Sequence, residues 1–96
     1  MMRVVWTRPA LRELENIGDY IARDNPAAAD GIVTRILDRA AALADQPEVG
    51  RPGRVAGTRE LVVTGTPFIL PYRVNRDCVE ILSVFHGARK WPESFR

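Results

Sequence analysis

Three residues, Asp24-Asn25-Pro26, separate two apolar stripes that both recur at helical spacing. The first stripe is Ala10, Leu11, Leu14, Ile17 and Ile21, and the second is Ala29, Ile32, Val33, Ile36, Ala40 and Leu43. A residue before proline is pushed out of the helical region, so Asn25 ends the first helix. Asn25 also caps a second helix, with Pro26 at its first position, where a missing N–H costs nothing. A link this short makes the helices antiparallel neighbours in an αα-hairpin. Thr7 is the expected N-cap of the first helix, over about residues 8–23. Gln46-Pro47 closes the second, which runs to about residue 45. Each helix has one apolar stripe, so the hairpin must lie against something else.

The remainder of the chain supplies that cover. Arg3-Val4-Val5-Trp6 reads as a short opening strand, and residues 59–63, 68–74 and 78–86 read as three more. Phe68, Leu70, Tyr72 and Val74 alternate onto one face. Pro71 interrupts this pattern, since proline in a strand belongs at an edge or a bulge. Residues 46–58 contain three glycines and two prolines and are expected to be irregular. The predicted order is β-α-α-β-β-β, an α+β fold with a mainly antiparallel sheet and the helical hairpin on one face. With 96 residues, the chain is expected to form a single domain over 1–96.

Composition narrows the function classes. Hydrophobic residues make up 46% and charged residues 27%, which suits a globular core without disulfide or metal support. The lone Cys78 lies in an apolar run and is expected as a small core residue in a reducing compartment. No segment reads as a signal peptide or a membrane span, so a cytoplasmic location is expected. One histidine and one cysteine are too few soft ligands for zinc, and neither metal nor cofactor is expected. Gly50, Gly53 and Gly57 lack the strand–loop–helix context of a phosphate loop. The Asn25-Pro26 corner is not followed by a basic recognition helix, which argues against sequence-specific DNA binding.

Charge is distributed unevenly. Residues 1–50 hold six arginines against eight carboxylates, and residues 51–96 hold eight cations against four. All the cations except Lys90 are arginine, the side chain suited to bidentate contacts with phosphate or carboxylate. The last predicted strand ends on the only histidine, His86, and Gly87-Ala88-Arg89-Lys90-Trp91-Pro92 follows. This arrangement fits a polyanion-cleaving site or a protein-binding site. For metal-free RNA cleavage, His86 would be the acid or base, Glu48 the carboxylate base, and Arg54, Arg59 and Arg73 would hold the phosphate. For binding, Arg54, Arg59, Arg73, His86, Arg89 and Trp91 would form the contact surface, because arginine beside aromatics is the composition of interface anchors. A strand-end imidazole bonded to a carbonyl or carboxylate accounts for His86 equally well.

Trp6-Thr7, Asp19-Tyr20-Ile21-Ala22, Asn25-Pro26 with Ala28-Ala29, Gly50-Arg51-Pro52-Gly53-Arg54, Gly57 to Val62, Tyr72-Arg73-Val74 and Val84 to Pro92 occur in one order. Together these pieces, over about residues 4–92, resemble the RelE/ParE toxins of bacterial type II toxin–antitoxin modules. The resemblance implies a toxin silenced by a cognate antitoxin from the same operon. It leaves two branches: ParE-like members poison DNA gyrase, and RelE-like members are endoribonucleases that cut mRNA in the ribosome. RelE-like chains carry an arginine early in the penultimate strand, whereas Phe68-Ile69-Leu70-Pro71-Tyr72 has none. They also have an aromatic near the histidine, where Gly87 stands here, and a more basic loop than Arg51 and Arg54 provide. A net charge of +2 is small for a ribosomal RNA binder. The expected reading is therefore ParE-like, with gyrase as target and no catalytic residues.

Overall fold

The computed structural model describes residues 1–87. Its elements are β1 (Arg3–Trp6), α1 (Arg8–Ala22), α2 (Pro26–Ala42), β2 (Arg51–Pro52), β3 (Arg59–Val62), β4 (Phe68–Val74), β5 (Cys78–Ile81) and β6 (Phe85–His86). The sheet runs β1-β5-β4-β3-β2, and β6 also pairs with β4. Every pairing is antiparallel except β1 with β5, which is parallel.

Both helix starts follow the expected chemistry. The Thr7 hydroxyl accepts from the Ala10 N–H at 3.4 Å and donates to the Ile81 carbonyl at 2.8 Å, so one side chain caps α1 and joins it to β5. The Asn25 carboxamide oxygen accepts from the Ala28 N–H at 3.0 Å. Ala10 and Leu14 from α1 meet Ile36, Ala40 and Leu43 on the sheet face that carries Leu61, Val63, Phe68, Leu70, Tyr72, Val79 and Ile81. The predicted alternation of Phe68, Leu70, Tyr72 and Val74 toward the helices is present.

Three details differ from expectation. Within the glycine- and proline-rich stretch, Arg51 and Pro52 form a two-residue edge strand facing Glu60 and Arg59. Pro52 is tolerated there because an edge strand needs no donor on its outer side. Cys78 is half-buried, not a core residue: Val79 takes the core face, so Cys78 points to the opposite face, across from Arg3.

The third difference sets the functional geometry: residues 78–86 are not one strand. Tyr72 faces Ile81, whereas Ile69 faces Phe85. Residues 70–71 on β4 are thus matched by residues 82–84, one more than the ladder can pair, which makes a β-bulge. Pro71 accounts for its position. Leu82 N–H donates to the Pro71 carbonyl at 2.9 Å, but proline has no N–H to return. The bulge reverses the alternation. Val79 and Ile81 face the helices before it, and Val84 joins the same core after it. His86 consequently lies beside Phe68 on the helix side; an unbroken strand would have put Phe85 there.

Candidate functional site

Two regions gather candidate side chains, at opposite ends of β4. The first is the loop from Pro47 to Thr58, fastened from both faces of the sheet. On the helix side, the buried Tyr72 hydroxyl accepts from the Gly50 N–H at 2.9 Å and donates to the Pro47 carbonyl at 2.8 Å. Burial raises the Tyr72 phenol above its ordinary pKa, and the Gly50 hydrogen bond and the nearby Arg59 charge oppose the shift only in part. Across the ladder from Tyr72, Arg59 donates from one guanidinium nitrogen to the carbonyls of Glu48 at 3.2 Å and Gly50 at 2.8 Å. On the other face, the Glu60 carboxylate is 3% exposed and accepts from Arg51 Nε at 3.1 Å, Arg51 Nη2 at 3.0 Å and the Arg54 N–H at 3.3 Å. A Cβ at Gly50 would sit 2.6 Å from the Tyr72 oxygen and 2.9 Å from the Glu60 carbonyl, so this close approach requires glycine.

The second region is a groove of about 580 Å³ between the helical hairpin and the bulged strand. Its walls are mainly apolar, with Ile17, Tyr20, Ile21, Ile32, Phe68 and Val84 prominent; Glu13, Asn16 and His86 supply its polar groups. The Tyr20 ring is 68% exposed at its mouth, with the Arg23 guanidinium 5.9 Å from the ring centre. The His86 ring meets Phe68 edge-on at 5.7 Å between centres. Glu13 crosses from α1 to the bulge, where its Oε1 accepts from Ser83 Oγ at 2.9 Å and the Val84 N–H at 3.1 Å.

The residues predicted for RNA cleavage are not gathered at one place. His86 lies opposite Phe68, and Arg59 lies opposite Tyr72, four residues further along β4. At strand rise, this is about 13 Å. Arg73 is on the other face, in an exposed ion pair with Glu80 at 3.3 Å. Glu48 and Arg54 are exposed on the loop, where the contacts given above engage their backbone. Arg89 and Trp91 lie outside the described residues. Sequence reasoning missed the roles of Glu13, Tyr20, Tyr72 and Glu60. The spacing of Glu13, Asn16, Ile17 and Tyr20, at i, i+3, i+4 and i+7, does carry the signal that they share a helix face. Among the described residues, no group of three side chains is placed to hold a metal ion, and no helix is long and apolar enough to cross a membrane.

Comparison with known proteins places this architecture in a family. A putative toxin, Y4kP of Sinorhizobium fredii, is 52% identical over 95% of this chain and 94% of its own length. Toxin RelE2 of Caulobacter vibrioides is 42% identical over 93% of this chain and 99% of its own. A solved structure described as a chromosomal ParDE TA system from P. aeruginosa superposes with a TM-score of 0.80 at 32% identity, over 90% of this chain and 96% of that one. Residues 4–91 match the family described as the ParE toxin of the type II toxin–antitoxin system, parDE. The chain therefore belongs to the ParE toxin family of type II toxin–antitoxin systems.

Proposed function

We propose that this toxin arrests growth by binding a macromolecular target in the cytoplasm, DNA gyrase, and that it breaks no bond itself. The observation that carries this reading is the dispersal of the acid–base and phosphate-holding candidates. Metal-free RNA cleavage needs an acid, a base and cations converging on one phosphate. Here His86 and Arg59 are about 13 Å apart along a strand, and Arg73 is on the far side of the sheet. Arg59 is also engaged in closing the loop.

In this reading, the fastened loop, with Arg51 and Arg54, and Arg73 on the same sheet face as Arg51, form the target-facing surface. Arg89 and Trp91 continue that role beyond the described residues. Arg59 serves it indirectly, by fixing the loop. His86 belongs to the other surface, the groove, where a segment of the cognate antitoxin docks against the helical hairpin. The paired test is gyrase supercoiling beside ribosome-dependent mRNA cleavage, with purified toxin. Inhibition of supercoiling without transcript cuts is the expected result. Cuts at codon boundaries that disappear in His86→Ala would transfer the assignment to the endoribonuclease branch.

A further inference from the structure

Among the described residues, the groove contains a single formal negative charge, Glu13, in a mainly apolar wall that also carries Asn16 and His86. The fold holds this carboxylate in place. Its Oε1 is occupied by Ser83 Oγ and the Val84 N–H, whereas Oε2 makes no hydrogen bond among the described residues. One oxygen is thus anchored to the bulge and the other is left as an acceptor in the groove wall that Asn16, Ile17 and Tyr20 also line.

That oxygen is not sealed among the described residues, so water can reach it in the unfilled groove. An apolar segment laid over it would strip the water and leave a buried carboxylate without a partner, a costly arrangement. The remaining oxygen of a pre-positioned carboxylate suits an ammonium or guanidinium donor. We infer that Glu13 selects the occupant of the groove: the docking segment is amphipathic, with apolar anchors against Ile17, Tyr20, Ile32 and Phe68 and one Lys or Arg directed at Glu13. This rests on the reading of the groove as the antitoxin's seat, and it adds the charge by which that seat distinguishes a matching segment from an equally apolar one.

The test measures binding of the full-length toxin to the antitoxin encoded beside its gene, at several salt concentrations. Glu13→Gln keeps an acceptor for Ser83 and Val84 but removes the charge. Tyr20→Ala removes an exposed ring from the mouth of the groove and leaves Glu13 intact. The expected result is an affinity loss of at least about tenfold for Glu13→Gln, with a flatter salt dependence. One Lys→Gln or Arg→Gln change in the antitoxin should cost as much against wild-type toxin and nothing further against Glu13→Gln. Unchanged affinity for Glu13→Gln with weakened binding for Tyr20→Ala would overturn the charge selection and leave the groove reading standing. Unchanged affinity for both would remove the groove reading as well. Should Glu13→Gln fail to fold, the antitoxin scan against wild-type toxin decides alone: no cationic position costing about tenfold would overturn the inference.

Discussion

The two ends of β4 use polar side chains in opposite ways. At the Tyr72 end, a phenol, a guanidinium and a carboxylate all turn toward the backbone or side chains of residues 47–54. At the Phe68 end, the walls are mostly apolar, and no described residue fills the groove. In the proposed reading, the first end presents a shape and the second receives one. A loop rich in glycine and proline has little structure of its own, and side-chain hydrogen bonds hold it in one shape before any partner arrives. An open apolar groove gains most of its energy only when something fills it.

If that division holds, changes at the fastened end should alter stability and leave antitoxin affinity alone, with the groove end showing the reverse. The largest expected effect is from Gly50→Ala, whose methyl would overlap the Tyr72 ring and the Glu60 carbonyl. Overpacking of this kind should cost about 3 kcal/mol, read as a lower midpoint in urea unfolding. Tyr72→Phe keeps the ring and leaves the Gly50 N–H and the Pro47 carbonyl without their shared partner. It should cost about 1–2 kcal/mol in the same assay, and growth arrest should weaken more than antitoxin binding. Undiminished growth arrest in a folded Tyr72→Phe protein would mean that the loop's shape does not matter to the target.

Alkaline titration sharpens the same point. The Tyr72 phenol has a raised pKa in the folded protein, so above a pH of about 10 the unfolded chain releases a proton that the folded one retains. The contribution of this group is complete below that pH and is lost as the pH climbs further. The unfolding midpoint followed by circular dichroism should therefore decline in that window, and the part due to Tyr72 should vanish in Tyr72→Phe. The smallest expected effect is from Arg73→Ala. Its pair with Glu80 joins an exposed guanidinium to a partly exposed carboxylate, and its loss should change stability by less than about 0.5 kcal/mol. A fall in gyrase inhibition for this variant at unchanged stability would place Arg73 at the target surface.

The helical hairpin was readable from the chain because its signals are local: the caps at Thr7 and Asn25 and the stripes on either side of Pro26 act within a turn or two. Most strands were readable for the same reason. The bulge was not fully readable, although Pro71 marked the place. A proline shows that the ladder lacks a donor, but not that the neighbouring strand takes up an extra residue to compensate. The face of His86 depends on that extra residue, so its placement in the groove was hidden as well. Glu13 and Glu60 were hidden for a different reason. A carboxylate in a helix or strand reads as solvated, and only the tertiary contacts, with Ser83 and Val84 in one case and the Arg51 loop in the other, bring it inward.

The irregularity at residues 82–84 also bears on how such toxins diverge. A strand that contains one surplus residue is an odd-even switch: losing or gaining a single codon there exchanges the faces taken by Phe85 and His86, with neither of those side chains changed. Two toxins that share this phenylalanine–histidine pair, differing by one codon upstream of it, would turn its histidine to opposite faces of the sheet. Alignments of such chains are therefore best anchored on the proline opposite the insertion before the histidines are equated.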